Sequence, residues 1–128
     1  MTTEYTGGIS GYQVEAARTG SSAHDPTDPE ASLLHNLALA GMGLTGEAGE
    51  VCDLLKKVVF HGKPLDAATR AKLVLEMGDV LWYLAHAATT LGVTLDDVAN
   101  ANAAKLRARF PDGFTRADAA AKRDEGGR

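Results

Sequence analysis

Two short segments of the 128-residue chain carry the residue types and spacing of a metal site. Glu47-Ala48-Gly49-Glu50 and Glu76-Met77-Gly78-Asp79 each set two acids three residues apart, with 25 residues between the pairs. In a helix, an i,i+3 pair occupies neighbouring positions on one face. Two such helices facing each other would aim four carboxylates at one point. Hard oxygen ligands of this kind suit Mg²⁺, with Mn²⁺ as a substitute. A solvated acidic face is the ordinary alternative, because Glu is common on helix surfaces, and the helical wheel decides between them. With Glu47 at zero and about 100° per residue, Leu44, Val51, Leu54 and Val58 all fall within about 60° of it. Glu76 is ringed in the same way by Leu73, Val80, Tyr83 and Ala87. Glu50 and Asp79 lie to the same side of their partners. Four acids on the core-facing side of two helices repel one another and lose hydration, which is costly unless a cation compensates.

The elements that must position these acids are helices. Ser10 is a candidate cap for a short helix over about 11–19, with Tyr12, Val14 and Ala17 as its apolar surface. The stretch 20–30, with its Gly, Ser, Asp and two prolines, reads as a loop. Residues 30–60 read as one long helix, or as two broken near Gly41–Gly46. HGKP at 61–64 is a break, Asp66 caps the next helix, and that helix stops at Gly92. Thr94 caps a fourth helix with Asp97 three residues on, a capping box with Asp in place of Glu. It runs to about Phe110, ahead of Pro111 and Gly113. Strands would need alternating β-branched and aromatic residues, and aromatics are 5% of the chain. The expectation is an all-α protein of four to five helices. One domain spans 1–114 with its core at 30–114, residues 1–8 fray, and 115–128 form a flexible tail. Val74, Leu81 and Trp82 lie on the side of their helix away from Glu76, so this helix is apolar around most of its circumference. That pattern calls for burial on two sides, and hence for a bundle completed by homo-oligomerisation, as a homodimer or a dimer of dimers.

The net charge of −4 shows no basic stripe, which argues against stable nucleic-acid binding. A single cysteine, Cys52, makes no internal disulfide, and a reducing compartment is the default. The opening MTTEYTGGISGYQ lacks the basic and apolar parts of a signal peptide, and no apolar run approaches a membrane span. A soluble, cytoplasmic protein is expected. Cations suited to a polyphosphate are also present. Lys57 follows Glu50 by two turns near the same face, and Lys105 and Arg109 are i,i+4 on the last helix. Four carboxylates and a triphosphate sum to about −8. Two Mg²⁺ and three such cations bring this to about −1, the neutralisation on which phosphoryl chemistry depends.

The segments GLTGEAGEVCDLLKK and LVLEMGDVLWYLAHAATTLGVTLDDVANANAAKLRARFPDGF resemble the MazG-like nucleotide pyrophosphohydrolases. The likeness covers residues 36–114, and YQVEAART at 12–19 is similar to the family's first helix. The family pattern of ExxE, spacer and ExxD is matched in full. The resemblance implies an all-α fold in which helices from two chains form a four-helix bundle. It implies Mg²⁺-dependent cleavage of a nucleoside triphosphate to the monophosphate and pyrophosphate, with Glu47, Glu50, Glu76 and Asp79 as metal ligands. It also makes Lys105 and Arg109 phosphate contacts, places Asn102 where many members have Asn, and leaves Lys57 as a further substrate contact. The nucleophile is then a metal-activated water, with Glu47 or Glu50 as the base. Loop 20–30 matches nothing in the family, so the preferred base is not carried over.

Three other readings share part of this pattern. Phosphoribosyl-ATP pyrophosphohydrolase shares the acids, but the NAAKLRARFPDGF flank favours the MazG-like pattern. A di-iron carboxylate bundle expects Glu-x-x-His pairs. No histidine has that spacing, and His86 reads as a packing or base-edge residue. A non-catalytic helical dimer binding a nucleotide or protein partner is disfavoured by the complete set of acids.

Overall fold

The computed structural model describes residues 7–121, which form the helices α1 (Gly8–Ala17), α2 (Pro29–Phe60), α3 (Ala67–Leu91), α4 (Leu95–Arg109) and α5 (Arg116–Ala121). Among the described residues there is no strand, and the all-α expectation holds. No described helix is long and apolar enough to cross a membrane.

Local chemistry starts and stops these helices. Asp28 caps α2 by accepting from Ala31 N–H at 2.9 Å, with Pro29 in the first turn, where its missing N–H costs nothing. Asp66 caps α3 by accepting from Thr69 N–H at 2.8 Å. Gly92 ends α3 in the left-handed region at φ 70°, where a side chain would be strained. The expected capping box of α4 is present. Thr94 Oγ1 accepts from Asp97 N–H at 3.0 Å, and the Asp97 carboxylate accepts from Thr94 N–H at 2.8 Å.

Of the two readings of residues 30–60, the single long helix holds: α2 runs unbroken for 32 residues. Several expectations change. Ser10 is not a cap. It lies in the first turn of α1, where its hydroxyl donates to the Asp96 carboxylate and accepts from Asp96 N–H at 3.2 Å. This ties α1 to the start of α4. The buried residue of α1 is Ala16, whereas Val14 is 68% exposed and Ala17 faces solvent. The expected tail opens with α5, whose start is held by Thr115 Oγ1 accepting from Asp118 N–H at 3.0 Å. Residues 122–128 of that tail, and 1–6 of the expected frayed start, lie outside the described residues.

Helices α2 and α3 form an antiparallel hairpin, and α1 crosses α3. At one end of the crossing the Tyr12 hydroxyl donates to Gly78 O at 3.5 Å. At the other, Gln13 Nε2 donates to Thr89 Oγ1 at 3.1 Å and Val93 O at 2.9 Å, while its Oε1 accepts from Leu95 N–H at 2.7 Å. The core lies at this crossing, where Ala16, Ala85, Ala88 and Leu95 pack with Tyr12, Leu81 and Trp82. It is built from small residues, and no large side chain is fully buried among the described residues.

Candidate active site

The hairpin brings the acids together. Glu47 on α2 and Glu76 and Asp79 on α3 each offer a carboxylate oxygen, and these three oxygens lie within 4.8 Å of one another. Glu47 and Glu76 are half-buried and Asp79 is exposed. Gly43 and Tyr83 position them: the ring of Tyr83 occupies the space a side chain at Gly43 would fill. Glu47 is one turn beyond Gly43 on α2, and Asp79 one turn before Tyr83 on α3, so this contact sets the two acidic levels opposite each other. Glu50, expected as a fourth ligand, is exposed and stands outside the group of three.

The donor set fits a hard divalent cation. Around Mg²⁺ at the usual bond length, neighbouring oxygen ligands are about 3 Å apart and opposite ones about 4.2 Å, so side-chain rotations of an ångström or two would bring oxygens that already lie within 4.8 Å into one shell. Beside the cluster, burial first and the Asp79 carboxylate second hold the Tyr12 phenol above its ordinary pKa. Tyr12, read from sequence only as apolar surface, is thus a polar neighbour of the acids. Its partner lies 66 residues away, and no local spacing rule reports such a contact.

The expected substrate contacts are placed differently from the acids. Lys57 Nζ is held by Asp53 at 2.5 Å, and Lys56 reaches the same carboxylate at 2.6 Å. The hydrogen bonds from Lys56 and Lys57 lower the Asp53 pKa to about 2. Asp53 in turn raises that of Lys57, with a smaller contribution from Glu50. Lys105 is exposed on α4. Arg109 donates from Nη2 to Ala119 O at 3.4 Å, and its guanidinium lies 5.2 Å from the centre of the Phe110 ring. Asn102 lines an apolar groove of about 530 Å³ with Leu81, Leu84, Leu91 and Val98. None of these four belongs to the convergence of Glu47, Glu76 and Asp79.

A second feature adjoins the cluster. Trp82 and His86 stack with ring centres 5.5 Å apart and planes 3° apart, on the wall of a cavity of about 140 Å³ beneath the end of α1. Trp82 was expected at an interface between copies. Within the single chain it is half-covered by this packing, and its Nε1–H donates to Thr19 Oγ1 at 2.8 Å.

Comparison with known proteins places the chain in a family. The chain is 35% identical over 99 residues to the "Gene 37 protein" of Mycobacterium phage L5, covering 77% of this chain and 84% of that one. No solved structure matches it. Residues 36–114 match the MazG nucleotide pyrophosphohydrolase domain. That match holds both acidic pairs and all of α3 and α4, and the chain belongs to the MazG nucleotide pyrophosphohydrolase family.

Proposed function

We propose that the chain hydrolyses a nucleoside or deoxynucleoside triphosphate to its monophosphate and pyrophosphate, with a divalent cation held by Glu47, Glu76 and Asp79. The observation that carries this reading is the approach of those three carboxylates to within 4.8 Å. Like charges so close together call for a positive partner. Mg²⁺, or Mn²⁺ in its place, would supply positive charge to the phosphate oxygens and make a water more acidic.

The chain's own residues divide the remaining work. Glu47, Glu76 and Asp79 bind and orient. Glu50, one turn from Glu47 and outside the group of three, is the carboxylate left to take the proton of the attacking water. Lys105 and Arg109 present two donors i,i+4 on α4 for phosphate oxygens, Arg with a fork that matches them. Asn102 on the same helix is a further substrate contact. Lys57 joins them only by leaving Asp53.

The active form is a homo-oligomer, a dimer or a dimer of dimers. Val74, Leu75 and Met77 of α3, each at least 60% exposed, support this. We place the enzyme in the cytoplasm, where its nucleotide substrates are. The deciding experiment is a pyrophosphate-release assay with Mg²⁺ across the canonical ribo- and deoxynucleoside triphosphates. Monophosphate and pyrophosphate in equal amounts are expected. No release from any of them, with Mg²⁺ or with Mn²⁺, overturns the reading.

A further inference from the structure

The cavity beside Trp82 and His86 has the features of a ligand site. Ala17, Gly20 and Ser22 form one wall, and Trp82, Ala85 and His86 the other. Trp82 is fixed by its bond to Thr19, whose hydroxyl in turn donates to Ala16 O at 3.0 Å, so the plane of the aromatic pair is set before anything binds. His86 is 8% exposed, and its Nε2 is buried with no hydrogen-bond partner among the described residues. A buried N–H without an acceptor is rarer and more costly than a buried acceptor without a donor. Where the ring carries one proton, that proton therefore belongs on Nδ1. That atom lies on the Gly20 side, 3.7 Å from where a side-chain carbon at 20 would begin. The cavity thus offers a flat aromatic wall and one N–H donor.

Size and position narrow the ligand further. A cavity of about 140 Å³ compares with the ~150 Å³ that holds a benzene ring elsewhere, which is room for one six-membered ring. Asp79, Trp82 and His86 are spaced i, i+3, i+7 along one face of α3, so the cavity begins one turn past the acids and His86 lies about 10 Å beyond them. That interval suits the sugar and phosphate between a base and the acidic cluster. Resting on the hydrolase reading above, we propose that this cavity receives the base of the nucleotide, that the base is a pyrimidine, and that His86 Nδ1–H donates to an acceptor on its edge.

The test separates binding from turnover. Trp82 is the chain's single tryptophan, so its fluorescence reports this cavity alone. The full chain is titrated with CMP, UMP, AMP and GMP without added metal. Saturable quenching by the pyrimidine monophosphates and none by the purines is expected. Equal quenching by purines overturns the size argument, and no saturable quenching by any of the four overturns the site. Two variants check the wall. Gly20→Ala places its methyl group at ordinary contact distance, 3.7 Å, from Ala17 O, His86 Nδ1 and Trp82 Cζ2, so the fold is kept while the cavity shrinks. It should raise KM for pyrimidine triphosphates several-fold, with a much smaller effect on kcat. His86→Phe keeps a ring but removes the donor, and should raise KM roughly three- to ten-fold. Unchanged KM in both variants overturns the proposal. If CMP and UMP quench but no triphosphate is hydrolysed, the hydrolase reading falls and the cavity assignment stands. Hydrolysis indifferent to the base, without quenching, is the reverse.

Discussion

A methyl group on Gly43 would lie 2.0 Å from Cε1 of Tyr83. The bare backbone at 43 is what lets the ring of 83 lie against α2. The acids one turn away on each helix inherit their separation from this contact. Gly43→Ala should cost about 1–3 kcal/mol, as overpacking does, and should lower turnover by moving Glu47 away from Asp79. Urea unfolding of Gly43→Ala, Tyr83→Leu and the double variant checks the coupling. The double variant should recover most of the loss shown by Gly43→Ala. Strict additivity would show that the two residues do not act through this contact.

The acids should separate by role. Glu47→Gln, Glu76→Gln and Asp79→Asn should each weaken Mn²⁺ binding, followed by its electron paramagnetic resonance signal, and should abolish turnover. Glu50→Gln should leave Mn²⁺ binding close to that of the unaltered protein while reducing kcat by about 10²–10⁴-fold, the usual contribution of a general base. Glu50→Gln with full activity would remove Glu50 from the chemistry.

Lys105 is the cleaner of the two proposed phosphate contacts on α4 to test, because Arg109 also carries contacts to Phe110 and Ala119. Lys105→Ala should lower kcat/KM by a similar factor for every accepted nucleotide. A changed base preference at constant rate would contradict a phosphate contact.

Light scattering should give at least twice the 13.4 kDa chain mass at micromolar concentration. Replacing Val74 and Met77 together by Glu should shift that mass towards the monomer. A monomeric mass for the unaltered protein would remove the oligomer from the proposal.

The Asp53 carboxyl sits at about 2, below its unfolded value near 3.9. A depressed folded pKa contributes stability above the unfolded value and loses it as pH falls towards the folded one. The Tm difference between the unaltered protein and Asp53→Asn should therefore be constant near neutrality and vanish between about pH 4 and pH 2. It should be small throughout, because these ion pairs are exposed and well screened. A difference that grows on acidification would refute the pairing.

Features set by neighbours within four residues were legible in the sequence. The Asp66 cap, the Gly92 stop and the Thr94–Asp97 box depend on such spacings, and so does the facing of Glu47 and Glu76 on their helices. Features set by distant partners were not. Ser10 follows the rule for a cap, yet its partner is Asp96, 86 residues on. Glycines at 41–46 leave a break open beside the single helix, and Gly43 serves an approach between helices that no helix-breaking rule anticipates. The i,i+3 rule placed Glu50 with Glu47 on one face. It could not say that only Glu47 would meet the acids of α3. The apolar girth of α3 calls for burial on two sides, and it is α1 that covers the Trp82 side within the same chain.

The amide of Asn36 grips the segment before α2 through main-chain atoms alone, with Oδ1 accepting from Ala23 N–H and Nδ2 donating to Ala23 O, both at 2.9 Å. Such a clasp reads no side chain at position 23. The residues between Thr19 and Asp28 are therefore free to drift, lengthen or be exchanged between relatives while the acids on α2 and α3 stay where they are. On the proposed roles of the acids and of the cavity, catalysis and selectivity are separately heritable in this architecture. A new preference can then arise within residues 20–27 without reopening the question of how the protein folds.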